Sequence, residues 1–226
     1  MGTDIHLEVE RKTEDGWEVV DPTQHGYPER ETDWRSRWWH YGDDKPRPCE
    51  RNYTVFGFLA DVRNGHGFAG CDTGDPVRPL APDRGWPEDT TIPIDDFDNF
   101  DTGDHSHTWA TLRELVEADW DCVVVERGWV DAGEYLAMIE RGEDPTTGFL
   151  VPKNWCGGVS GGDVRHFQNR QEWEEADRPI AHCYIHHQWA WRILLESGFK
   201  RWLDEVIVPM ADGKVDDYRV LMGFDS

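Results

Sequence analysis

Residues 4–21 constrain the fold more than any other stretch. Ile5, Leu7 and Val9 alternate with Asp4, His6, Glu8 and Glu10, the period of a half-buried strand. Asp15-Gly16 supplies a turn and Trp17 to Val20 return, so a hairpin is predicted. Such a hairpin must bury its apolar face, and it lines up Asp4, His6 and Glu8 on the other. That polar row reads in two ways, as the solvated side of a hairpin or as part of a site.

Other elements follow from caps and periodicity. Asn52 precedes Val55, Phe58, Leu59 and Val62 at helical spacing, and Thr111 to Glu114 form a capping box that opens a helix to about Ala118. The segment HSHTWA before it is extended. Cys122 to Glu126 reads as a strand. Asp131 to Glu134 opens a second helix that stops near Gly142, before Pro145. Ile180 to Trp191 is assigned to a strand by its β-favouring residues. Ile193 to Val208 is read as an amphipathic helix with Leu195, Phe199, Trp202, Leu203 and Val206 on one face. Asp217 to Phe224 closes the chain as a strand. The expectation is an α+β fold in one domain over 1–226. A single mixed sheet holds the N- and C-terminal strands, helices pack on one face, and long acidic loop insertions fall at about 22–50, 65–103 and 143–178.

Charge limits the partners. Of 226 residues, 46 are acidic and 23 basic, a formal charge of −23, and only five bases are lysine. Nucleic acid is excluded as a partner, because phosphate contacts need Lys and Arg to displace counterions. Self-repulsion fades in molar salt, where the Debye length is roughly 3 Å, so the surface suits a salty cytoplasm. An acidic proteome encoded by a GC-rich genome accounts for it equally well. No run of eighteen apolar residues offers a membrane span, and no secretion signal is visible. Cys49, Cys71, Cys122, Cys156 and Cys183 are odd in number without a C-x-x-C pair, which predicts reduced thiols in a cytoplasm.

Five of the ten histidines fall in three clusters: His6 beside Asp4, His105 with His107, and His182 with His186. Imidazole and carboxylate donors suit zinc or manganese, and an ion with an open position activates water. Asp4, His6, His105, His107, His182 and His186 are the candidate metal ligands. Glu8 and His105 are the candidate catalytic groups, and Arg51 and Arg84 the candidate phosphate clamps. Against this stand blander readings: His105 orienting a capping turn, Arg84 pinning a proline-rich loop, and His166 and His187 as surface residues. The glycine loop CGGVSGG at 156–162 matches neither nucleotide-loop pattern.

The stretches MGTDIHLEVE, RNYTVFGFLADVR, RGWPED, HSHTWATLREL and YRVLMGFDS cover about a quarter of the chain. Together they resemble an uncharacterised family of small tailed-phage and archaeal-virus proteins that open Met-Gly-Cys-Asp-Ile-His and end in an Arg-aliphatic strand with Phe-Asp-Asn. The resemblance implies a viral origin and no activity. Thr3 stands where the family has cysteine, and Ser226 replaces its closing asparagine. The leading expectation is a metal-dependent hydrolase of a small phosphorylated or nucleotide-like molecule, acting in a host cytoplasm. The second is a non-catalytic binder of a ligand or host protein, and the third an accessory virion component.

Overall fold

A computed structural model describes residues 3–27, 46, 48, 51–67, 70–92, 105–148 and 150–225. Much of the expected insertions at 22–50 and 65–103 lies outside them. The chain forms two compact units, each drawn from separate stretches: Met1–Val62 with Arg78–Cys122 and Leu194–Ser226, and Arg63–Val77 with Val123–Ile193. The α+β class holds, but each unit has its own sheet among the described residues, where the sequence reading expects one.

In the first unit, β1 (Asp4–Thr13) turns into β2 (Gly16–Val19). β3 spans His105–Thr111 and β7 spans Tyr218–Asp225. The order is β2-β1-β7-β3, antiparallel throughout. Both chain ends therefore meet at the sheet centre, with Ile5 opposite Phe224 and Val9 opposite Val220. Ile5, Leu7, Val9, Val220, Met222 and Phe224 are fully buried on one face. Helix α1 (Tyr53–Ala60) contributes Phe56, whose ring meets Phe224 edge-on at 5.3 Å. Asn52 caps it by accepting from the Val55 N–H at 3.1 Å, as expected. Helix α2 (Leu112–Glu117) starts at the Thr111–Glu114 capping box.

The helix expected over 193–208 is reorganised. Residues Ile193–Glu196 form a 3-10 turn, and Leu195 is exposed rather than on the buried face. Ser197 then caps a new start, because its hydroxyl competes with the helical ladder and satisfies the Lys200 N–H instead. From there α5 (Gly198–Trp202), a π turn (Leu203–Ile207) and α6 (Val208–Ala211) follow. Pro209 explains the widened turn: it has no N–H for the carbonyl four residues back, and its ring would strike that carbonyl.

The second unit contains β4 (Val124–Asp131), β5 (Arg165–Phe167) and β6 (Cys183–Trp191), ordered β4-β6-β5. β4 and β6 are antiparallel, and β5 and β6 parallel. Cys183, Ile185, His187 and Trp189 face a core built with α3 (Ala132–Glu140) and α4 (Arg170–Glu175), centred on Tyr135, Met138 and Trp173. This second core is why a second sheet exists: β6 has an apolar face of its own and partners close in sequence to cover it. His187 is buried within it, contrary to its reading as a surface residue, and its Nε2 lies 2.8 Å from the Pro145 carbonyl. His166 is exposed, as expected.

Among the described residues no helix is long and apolar enough to cross a membrane. The expectation of reduced thiols fails at one pair, since Cys71 and Cys156 form a disulfide with Cα atoms 5.8 Å apart. Sequence spacing could not reveal it. The two cysteines are 85 positions apart and are brought together only by the segments flanking β4.

Candidate functional site

β1 is covered on both faces. Its polar row is not a solvated surface: His6 is 4%, Glu8 2% and Glu10 0% exposed. A lone strand alternating in this way would leave the polar side wet. Here β2 and β7 flank β1, and residues 89–91 contact this face at Glu10 and Arg219. Buried ionisable groups are costly unless paired or hydrogen-bonded, so this face holds the most informative side chains of the unit.

Glu10 is the best defined. Its Oε2 accepts from Arg219 Nε at 2.7 Å, and its Oε1 accepts from the Thr90 hydroxyl, the Thr91 N–H and the Thr91 hydroxyl at 2.8, 3.0 and 3.1 Å. Arg219 sits directly opposite on β7. It also donates to Asp89 at 2.7 Å and stacks over Trp17 with 4.0 Å to the ring centroid, while Trp17 donates to the other Asp89 oxygen at 2.9 Å. The Arg219 bond holds the Asp89 carboxyl below its usual range. Every Glu10 oxygen is thus accounted for by structural partners, and the group acts as a clamp that fixes the 84–92 segment to the sheet. The sequence reading missed it. The available signal was Arg219 itself, a guanidinium directly before the apolar run VLM, where a strand that becomes buried calls for a carboxylate partner.

The candidate phosphate clamps are also engaged. Arg84 makes a two-pronged pair with Glu114 at 3.0 and 2.9 Å and donates to the Trp109 and Leu80 carbonyls. It pins the loop to the capping box, the blander of its two readings. Arg51 pairs in the same way with Asp4, at 2.8 and 2.6 Å. Two predicted site residues therefore come together, but as an ion pair.

The Arg84 hydrogen bond holds the Glu114 carboxyl down at about 2, against an ordinary 4.5. A depressed carboxyl stabilises the fold above its ordinary pKa and loses that contribution as pH falls through the lowered value. Stability should therefore decline between about pH 4.5 and 2. Arg84→Ala should flatten that decline, by no more than about 1 kcal/mol because both side chains are partly solvated. Urea denaturation at pH 7 and pH 3 measures it.

The histidine clusters are distributed as follows. Asp4 and His6 on β1, and His105 and His107 on β3, belong to one sheet with β7 between them. The register slips between His105 and Thr108, with Ser106 at φ 58°. The period of two therefore does not carry across that bulge, and the argument placing His105 and His107 on one face does not hold. His107 stacks on Trp86 at 4.8 Å, and its carbonyl accepts from the Gly85 N–H. His182 and His186 lie in the second unit. His182 precedes β6 in a left-handed turn (φ 53°) and is exposed, so it does not share the strand face of His186. His186 faces Trp129, 5.0 Å between ring centroids, and burial lowers its pKa. Among the described residues, no three His, Cys, Asp or Glu side chains group together to hold a metal ion. What remains of the expected constellation is His6 and Glu8, one strand step apart and both buried.

Comparison with protein-family models, curated proteins and solved structures finds no match to this chain.

Proposed function

We propose that the first unit holds a small polar ligand against the His6–Glu8 face and that the protein works by binding. The supporting observation is the near-complete burial of that imidazole and carboxylate on the sheet face opposite the apolar core. A face this deeply buried is reached more readily by a small molecule than by the surface of another protein. Its chemistry favours hydrogen-bond donors such as amines, amides or hydroxyls, which a carboxylate accepts well. Phosphate is disfavoured, because Arg51 and Arg84 are already matched by Asp4 and Glu114 and the whole chain is strongly anionic.

Thermal denaturation with a chelator and a panel of amines, nucleosides and polyols tests this. A ligand at about 100 times its Kd should add roughly 2.7 kcal/mol of stability, and Glu8→Gln should abolish the gain. A panel without any shift overturns the reading.

Metal-dependent hydrolysis stays the second reading, favoured by His6 and Glu8 lying side by side on a sheet that also carries His105 and His107. It requires stoichiometric zinc or manganese after dialysis, lost in His6→Ala. Following the viral resemblance, the protein would act in the cytoplasm of a salt-adapted host or within the virion. Mass spectrometry of purified particles separates those two places.

A further inference from the structure

We propose that Cys71–Cys156 is a reversible redox latch that holds the glycine loop 155–162 on the second unit. The inference is independent of the ligand reading for the first unit.

Two irregular strips run along the side of β4 away from β6. The first is anchored without the disulfide. The Asp75 N–H donates to the Val125 carbonyl at 3.0 Å, the Arg127 N–H to the Thr73 carbonyl at 2.8 Å, and the Arg127 guanidinium pairs with Asp72 and Asp75. In the second strip the Lys153 N–H donates to the Trp129 carbonyl and the Asn154 carbonyl accepts from the Trp129 N–H, both at 2.7 Å. It approaches β4 so closely that a Cβ on Gly128 would lie 3.1 Å from Pro152 and 3.2 Å from the Asn154 carbonyl.

Past Asn154 the anchoring changes. Trp155 is 40% exposed. The Asn154 side chain links this loop to the anchored strip, donating to the Gly158 carbonyl and accepting from the Cys156 N–H. Among the described residues, three further attachments then hold 155–162: the disulfide, the Val159 N–H on His166 Nε2 at 2.9 Å, and the Trp155 ring on Trp189 with 6.1 Å between centroids. Gly67 packs onto both sulfurs, where a Cβ would meet them at 2.9 and 3.0 Å, so the first strip is shaped around the closed bond. Both half-cystines are only partly buried. Accessible disulfides are the ones that thiols attack.

The step balances with a dithiol reductant. Its thiolate attacks one sulfur, the Cys71–Cys156 bond breaks and a mixed disulfide forms. The reductant's second thiol resolves that intermediate, leaving the reductant as a disulfide and both protein cysteines as thiols. Two electrons and two protons pass to the protein. The loop then keeps only non-covalent ties among the described residues: the Val159–His166 bond, the Trp155–Trp189 ring contact and the Asn154 side-chain bonds.

The test uses the native full-length protein, oxidised or treated with dithiothreitol. Iodoacetamide should label Cys71 and Cys156 only after reduction. Cys183, buried and donating to the Ala181 carbonyl, should stay unlabelled. Amide exchange of 155–162 should speed up about tenfold while β4 and β6 keep their protection, and reoxidation with glutathione disulfide should restore it. Cys71→Ser with Cys156→Ser should reproduce the reduced pattern. The latch is overturned if exchange of 155–162 ignores reduction. It is equally overturned if Cys183 labels in step with the other two, or if reoxidation does not restore protection.

Discussion

Arg219→Met is expected to destabilise the first unit by about 3–5 kcal/mol, because it leaves the Glu10 carboxylate buried without its counter-charge. That is a large part of the roughly 5–15 kcal/mol that holds a typical domain together. Both side chains are essentially inaccessible, 3% and 0% exposed, so water cannot take over the missing contact. The Thr90 and Thr91 donors remain, but they supply hydrogen bonds without charge. Glu10→Leu combined with Arg219→Met should recover part of the loss, since an apolar pair carries no buried charge, while the Thr90 and Thr91 donors lose their Glu10 acceptor. Urea denaturation measures both without screening the charges. A single-variant loss below about 1 kcal/mol, the range of exposed pairs, would mean that the clamp is solvated in solution.

Trp173→Ala should cost about 3–5 kcal/mol in the second unit. Its ring is fully buried, stands edge-on to Tyr135 at 5.7 Å and donates through Nε1 to the Pro179 carbonyl at 2.8 Å. Truncation leaves a cavity and strips a donor from that carbonyl. Trp155→Ala, at a 40% exposed site, is the matched control and should cost under about 1 kcal/mol. Equal urea midpoint shifts for the two variants would contradict the core assignment.

Much of the fold was legible from local signals. The hairpin, the Asn52 cap, the Thr111–Glu114 box and the Asp131 start each combine a short-range pattern with a short-range structure, and the chain follows them. What escaped depends on long-range pairing. The division into two sheets follows from which strand β6 chooses, and the Cys71–Cys156 bond from segments 85 residues apart. The site was legible only in part. His6 and Glu8 were placed on one face correctly, but alternation says nothing about whether a second layer covers that face. The fates of Asp4, Arg51 and Arg84 were equally out of reach, because each depends on an ion-pair partner elsewhere in the chain. The bulge at Ser106 and the turn at His182 then broke the strict alternation on which the histidine pairs relied.

The strand order β2-β1-β7-β3 has a consequence for biosynthesis. β7 lies between β1 and β3, yet it leaves the ribosome after both, so the middle of the sheet stays empty until translation reaches about residue 218. At roughly 5–20 residues per second, the nascent chain carries the β1–β2 hairpin and β3 without their shared partner for several seconds, during which the strands of the other unit are made. The N-terminal hairpin would be a natural substrate for a holding chaperone during that interval. A ribosome stalled before residue 218 should display β1 in protease-sensitive form.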